Sequence, residues 1–212
     1  MIEDIPKEFF HSITFRYASQ EDSIKVLLEM DLQPETIGDM LAFLRDRHRG
    51  DSRESLLDKP FEPKPQLTPQ PTRFSDGTIR VFYSALEADT AEVEVRDWYL
   101  KHAFGSTRER RTVYYMSFSC DYAGHTKDLR PHVATLPCLI QDEKSAYPDC
   151  HRIAAEAVKD GLGGLLTPSA REPGGTCLPV FRREALSNPR RREWVAFAFD
   201  PETGQVSPSR IS

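Results

Sequence analysis

The chain has 212 residues, a formal net charge of −5 and a charged fraction of 29%. That length fits one large domain better than two. The acidic balance argues against a general nucleic-acid binder and gives no attraction to an anionic membrane. A hydrophobic fraction of 39% is enough for a core, and no run of about 18 apolar residues is present to span a bilayer. The start, MIEDIPKEFF, lacks a basic stretch followed by an apolar one, so no secretory signal is expected. Cys120, Cys138, Cys150 and Cys177 form no CxxC pair. The expectation is four reduced thiols in a cytoplasmic protein.

Residues 1–50 read as mostly helical. Ser19 is a plausible N-cap, Ile24, Leu27, Leu28 and Leu32 fall near helical spacing, and Pro34 can open a second helix with Ile37, Met40, Leu41 and Leu44 as its stripe. Residues 51–71 contain Pro60, Pro63, Pro65, Pro69 and Pro71. Proline lacks a backbone donor and fixes its torsion, so this stretch reads as neither helix nor central strand. It is expected to be a long loop laid over one domain spanning 1–212. Ser75, Asp76 and Gly77 signal a turn, residues 80–85 a strand and residues 88–102 a helix. Asp89 and Glu92 suit its N-terminal box, with Ala91, Val95, Trp98 and Tyr99 as its buried stripe. Residues 111–121 are the clearest strand. A helix over 151–160 ends at Gly161, short strands follow at 164–167 and 177–181, and a last strand covers 194–199 before the turn at Asp200-Pro201. This irregular alternation of strands and helices predicts an α+β class.

Two segments carry the chemistry. The first, TRFSDGTIRVFYSALEADTAEVE, places Arg73 before a strand, Tyr83 near its end and Glu94 just inside the following helix. That layout brings a cation, an aromatic ring and a carboxylate to one edge of a sheet. Taken singly, Arg73 can be a surface partner of Asp76, Tyr83 a core aromatic, and Glu94 a residue favoured by the helix dipole. The second, GLGGLLTPSAREPGGTCLPVF, is a strand, a tight turn exposing Ser169, a loop with Gly174 and Gly175 that allows close backbone approach, and a second strand. Arg171 can meet a phosphate with its planar fork.

Together these two segments, with ALSNPRR after them, resemble the RES domain family, named for its Arg, Glu and Ser. The resemblance covers residues 72–200. It implies a single domain with an ADP-ribosyltransferase-like split mixed or antiparallel sheet flanked by helices. It also implies an enzyme that consumes NAD, commonly the toxin of a bacterial toxin–antitoxin pair, restrained by a helical partner with a DNA-binding region. Arg73, Tyr83, Glu94 and Ser169 match the family's arginine, tyrosine, glutamate and serine. A further family arginine followed by an aromatic residue near the chain start is best matched by Arg16 and Tyr17. Glu92 competes with Glu94, but only Glu94 has the family's spacing from Tyr83.

In chemical terms, Glu94 is expected to stabilise the oxocarbenium character that develops when the nicotinamide–ribose bond breaks. Arg73, helped by Arg16 or Arg171, would hold the pyrophosphate. Tyr83 would stack on or hydrogen-bond the nicotinamide–ribose region, and Ser169 would fix a ribose or phosphate oxygen. Water, phosphate or a protein side chain remain open as the acceptor, and a passive NAD- or partner-binding module is the alternative outside catalysis. A serine hydrolase built on Ser169 lacks the GxSxG elbow. His11, His48, His102, His125, His132 and His151 show no paired metal spacing. Arg182, Arg183, Arg190, Arg191 and Arg192 suit a solvated face or an acidic partner. No metal, direct nucleic-acid contact or membrane contact is expected, and a homodimer is compatible with the sequence.

Overall fold

Aromatic and β-branched residues recur at alternating positions in two long stretches, and both form strands. The computed structural model describes residues 2–19, 54–62, 71–103 and 111–211. Strand β1 runs Lys7–Ser19 and β3 runs Arg111–Asp128. They pair antiparallel from Lys7↔Lys127 to Ser19↔Tyr115. The helical expectation for the start of the chain is therefore corrected over β1. Phe10, Thr14, Arg16 and Ala18 share one face while Phe9, Ile13, Phe15 and Tyr17 share the other, a period of two rather than 3.6. Ser19 is the last residue of that strand. The expected helices beyond it, at 20–50, lie outside the described residues.

The remaining strands are β2 (Phe82–Ala85), β4 (Gly164–Pro168), β5 (Thr176–Val180), β6 (Leu186–Asp200) and β7 (Gln205–Ile211). Their order is β1-β2-β5-β4-β3-β6-β7, with the additional β1–β3 pairing. That extra pairing closes β1, β2, β5, β4 and β3 into a small barrel, with β6 and β7 as a flap on β3. Among the described strands, only β3–β4 is parallel. A parallel pair needs a long crossover, and residues 129–163 supply it.

That crossover carries helix α3 (Tyr147–Lys159), after the short helix α1 (Ser55–Asp58) and the long α2 (Ala88–Ala103). Helix α1 corrects the expectation that 51–71 holds no helix. Helix α3 starts a turn earlier than periodicity suggested, because Pro148 is tolerated in a first turn. Gly161, at φ 67°, stops it. Strand β7 was not anticipated, and β6 begins eight residues before the expected 194. Pro189 and the arginine run had hidden its start. Register shifts between Met116 and Phe118 and between Ser119 and Asp121 absorb the irregularity, and Asn188 sits at φ 51°.

Three apolar clusters follow from this topology. Phe82, Phe118, Tyr122, Leu166, Leu178 and Val180 fill the barrel interior. Ile153, Ala154 and Ala157 of α3 pack outside it with Leu129 and Leu165. Tyr17, Val113, Tyr115, Val195 and Phe197 form the third cluster, against Val95 and Leu100 of α2. Trp98, expected in the buried stripe of α2, is instead 43% exposed. The four cysteines carry no disulfide. No helix among the described residues is long and apolar enough to cross a membrane.

Phe118 is fully buried and meets Phe82 edge-on at 6.1 Å between ring centroids. Phe118→Ala is expected to lower the unfolding free energy by about 3–5 kcal/mol, measured by urea denaturation. A loss below about 1 kcal/mol would show that the barrel interior is not the main core.

Candidate functional site

Helix α2 lies against the β4–β5 connection, and one carboxylate joins them. Ser169 Oγ donates to Glu94 Oε1 at 2.6 Å. Arg171 donates from one terminal nitrogen to Glu94 Oε2 and, at 3.1 Å, to the Glu94 main-chain carbonyl. The Cys177 thiol donates to Glu94 Oε1 at 3.5 Å. Burial, and then the neighbouring Glu94 carboxylate, hold that thiol well above its ordinary pKa, so Cys177 is a neutral donor and not a thiolate nucleophile.

The loop is built to present these groups. Ser169 Oγ accepts the backbone N–H of Arg171 at 3.1 Å and of Glu172 at 2.9 Å. Its own N–H donates to Gly175 O, and Gly175 N–H donates to Glu172 O. Ser169 is buried rather than exposed on the turn as the sequence suggested. Its hydroxyl donates to a carboxylate, and no histidine among the described residues bonds it, which does not fit the hydrolase arrangement. Gly174, at φ 86°, makes the turn. Gly175 has a different task from the expected ligand approach. A Cβ there would lie 2.4 Å from Thr90 Oγ1, so its lack of a side chain lets the loop close onto α2.

Arg73 comes from a second direction. It donates to the carbonyls of Cys138 and Leu139, at 3.3 and 3.1 Å, and to Asp142 Oδ1 at 3.1 Å. Arg171 donates to the same Asp142 oxygen at 3.0 Å. The result is a continuous chain from Ser169 through Glu94, Arg171 and Asp142 to Arg73. Its two carboxylates balance its two guanidiniums. Glu94 is its most accessible charged member, with 25% of its side chain exposed against 9% for Arg171. Asp142 was missed by sequence reasoning. It lies in a stretch between two single-turn helices, Pro137–Leu139 and Lys144–Ala146, with no spacing relation to either informative segment.

Tyr83 supports the chain from beneath. Its hydroxyl meets Thr72 Oγ1 at 2.6 Å and accepts the Phe74 N–H at 3.0 Å, so it grips the turn on either side of Arg73. His151 of α3 binds the Thr72 carbonyl at 2.8 Å and steadies the same turn. Through its hydroxyl, Tyr83 therefore holds the turn that carries Arg73.

Arg16 and Tyr17 point to opposite faces of β1. Arg16 lies inside the barrel, 4.6 Å from the Phe82 ring centroid, and donates to the Tyr83 carbonyl at 2.6 Å. Burial lowers its pKa to about 10, which leaves it charged at neutral pH. Among the described residues, the hydrogen bond to the Tyr83 carbonyl is what links Arg16 to the chain of charges. Tyr17 donates to Glu92 Oε2 at 3.0 Å, and Arg210 of β7 holds the same oxygen at 2.5 Å. Glu92 is thus occupied on the β7 side of α2, whereas Glu94 faces the loop that carries Ser169 and Arg171. Among the described residues no group of three His, Cys, Asp or Glu side chains could hold a metal ion.

A family model described as the RES domain matches residues 45–200, well over half of the chain. It contains Arg73, Tyr83, Glu94, Asp142, Ser169 and Arg171, and leaves Arg16 and Tyr17 outside. No curated protein matches the chain.

Burial raises the Tyr83 phenol to about 12, against a usual value of 10.0. The raised native value means the unfolded state loses its proton first. The stability due to the neutral phenol is fully present below about pH 10 and is lost as pH rises through about 12. Alkaline urea titrations of wild type and Tyr83→Phe should therefore converge over that window. At neutral pH the variant should be less stable by about 1–3 kcal/mol, because the Phe74 N–H loses its acceptor. A constant gap from neutral pH to about 12 would contradict this assignment.

Proposed function

Because the chain belongs to the RES domain family, we propose that it degrades NAD by cleaving the nicotinamide–ribose bond, with Glu94 as the catalytic carboxylate. The observation that carries this reading is the convergence of Glu94, Ser169, Arg171 and Arg73 from three separate parts of the chain. NAD needs a site that holds a pyrophosphate and stabilises positive charge on a ribose a short distance away. Two arginines next to a partly exposed carboxylate meet both needs.

In the proposed step the C1′–N bond breaks and its electron pair leaves with nicotinamide, which departs neutral. Positive charge develops on the ribose ring, and Glu94 faces it. Ser169 and Arg171 fix the orientation of that carboxylate and leave part of it accessible, so little reorganisation is needed as charge develops. Water or phosphate then attacks C1′, giving hydrolysis or phosphorolysis. Ser169 orients the carboxylate and does not attack.

The family resemblance supports a biological setting as well. The protein would be the toxin of a bacterial toxin–antitoxin pair, neutralised by a helical partner with a DNA-binding region. Degrading a central cofactor suits a toxin, and it calls for a partner that restrains the site.

The test is nicotinamide release from NAD by the purified chain, with and without inorganic phosphate. Glu94→Gln should reduce release by at least about 100-fold while leaving a cooperative urea transition. Release at the wild-type rate would falsify the assigned role. Arg73→Ala should raise KM more than it lowers kcat, because it removes a binding contact. An unchanged KM would count against Arg73 as an anion ligand.

A further inference from the structure

Arg171 is the cation in contact with Glu94, and its guanidinium is engaged on two of its three nitrogens. One terminal nitrogen serves Glu94 and the other serves Asp142 Oδ1. The third, Nε, is buried and has no hydrogen-bond partner among the described residues. The side chain is only 9% exposed. A buried donor on a charged group is costly to leave unsatisfied. Such a donor marks where an acceptor oxygen would be bound.

Asp142 supplies the second observation. Its Oδ1 is shared by Arg73 and Arg171, each through a single contact. Two guanidiniums that meet at one oxygen repel each other unless an anion lies between them. A carboxylate oxygen does this at the minimum, whereas phosphate oxygens offer more acceptors in a geometry suited to a guanidinium fork. Arg73 is also tied to the carbonyls of Cys138 and Leu139, so it keeps its place if Asp142 turns away. With Asp142 ionised, the two carboxylates cancel the two arginines and leave no excess positive charge for a dianion.

We propose that Asp142 is an internal competitor for an anion subsite formed by Arg73 and Arg171, and that a substrate's phosphate oxygens bind there by exchange with its carboxylate. For the identity of the anion as a pyrophosphate, this rests on the reading of the site as an NAD site. Asp142 holds the arginines together until the anion takes over, and the Nε donor of Arg171 gains its acceptor in the exchange. Asp142 thereby weakens binding of every anion by the same competition. Only a ligand that spans both arginines repays it, which favours a diphosphate over a lone phosphate.

The experiment is calorimetric titration of the full chain with inorganic pyrophosphate and, separately, with ADP-ribose. Asp142→Asn keeps the shape and one acceptor oxygen but removes the charge. It should bind both ligands roughly tenfold more tightly, the order expected for deleting one like charge beside a bound anion. Arg171→Lys keeps the charge but loses the Nε donor and should weaken binding of both. Asp142→Ser serves as the second variant should Asp142→Asn not fold. In the wild type, the carboxylate carbon resonance of Asp142 should move when pyrophosphate is added, which reads the exchange without any variant. Unchanged or weaker pyrophosphate binding in the Asp142 variants, no pyrophosphate binding by any form, or an unmoved Asp142 resonance overturns the proposal. Nicotinamide release by wild type is scored separately. A gain in pyrophosphate affinity without any release keeps the exchange and sinks the NAD reading, and release without the gain does the reverse.

Discussion

The carboxylate of Glu94 joins the two parts of the candidate site. It projects from α2, and the loop between β4 and β5 closes on it through the Ser169 hydroxyl and the Arg171 guanidinium. Helix and loop meet only because Gly175 has no side chain to push against Thr90. Their position follows from the barrel. Strand β5 lies between β2 and β4, and β2 leads directly into α2. The extra β1–β3 pairing closes that set of strands and holds the helix–loop junction in place.

Charge balance explains why this site is not a basic patch on an acidic protein. Buried cations require partners, because removing an unpaired charge from water is expensive. Arg73 and Arg171 are both largely buried, and Asp142 and Glu94 neutralise them. Such a network is costly to disturb at one member, since the remaining charge is left without its partner. It also makes ligand binding an exchange of anions rather than a simple addition. The neutral groups around it have a different role. Tyr83, Thr72 and His151 hold the turn of Arg73 through hydrogen bonds alone.

Much of the fold was legible because its signals are local. The strand at 111–121, helix α2 and the β4–β5 hairpin carry β-branched runs, a helical start and glycines at a turn. Strand β1 was misread, although FFHSITFRYA alternates in the manner of a strand. Periodicity over so few residues allowed the helical stripe beyond it to dominate. The start of strand β6 reads as a loop because of Pro189 and three arginines, and two register shifts accommodate them. Spacing alone puts Trp98 in the core, yet nothing in spacing says which face of α2 meets the sheet.

The sequence by itself determined the α+β class, the two informative segments and the identity of Arg73, Glu94, Ser169 and Arg171 as their polar content. Residue type and local order suffice for these, because a turn, a helix start or a guanidinium's chemistry does not depend on distant partners. Only the tertiary structure decided what each side chain touches. It turned Tyr83 inward to grip a turn, placed Arg16 inside the barrel over Phe82, and set Glu92 against Tyr17 and Arg210 rather than at the site. It also brought in Asp142, more than 45 residues from Glu94 along the chain and in contact with both arginines. Contacts across that separation are set by how strands close and how a crossover returns, and a linear pattern of residue types carries no record of them.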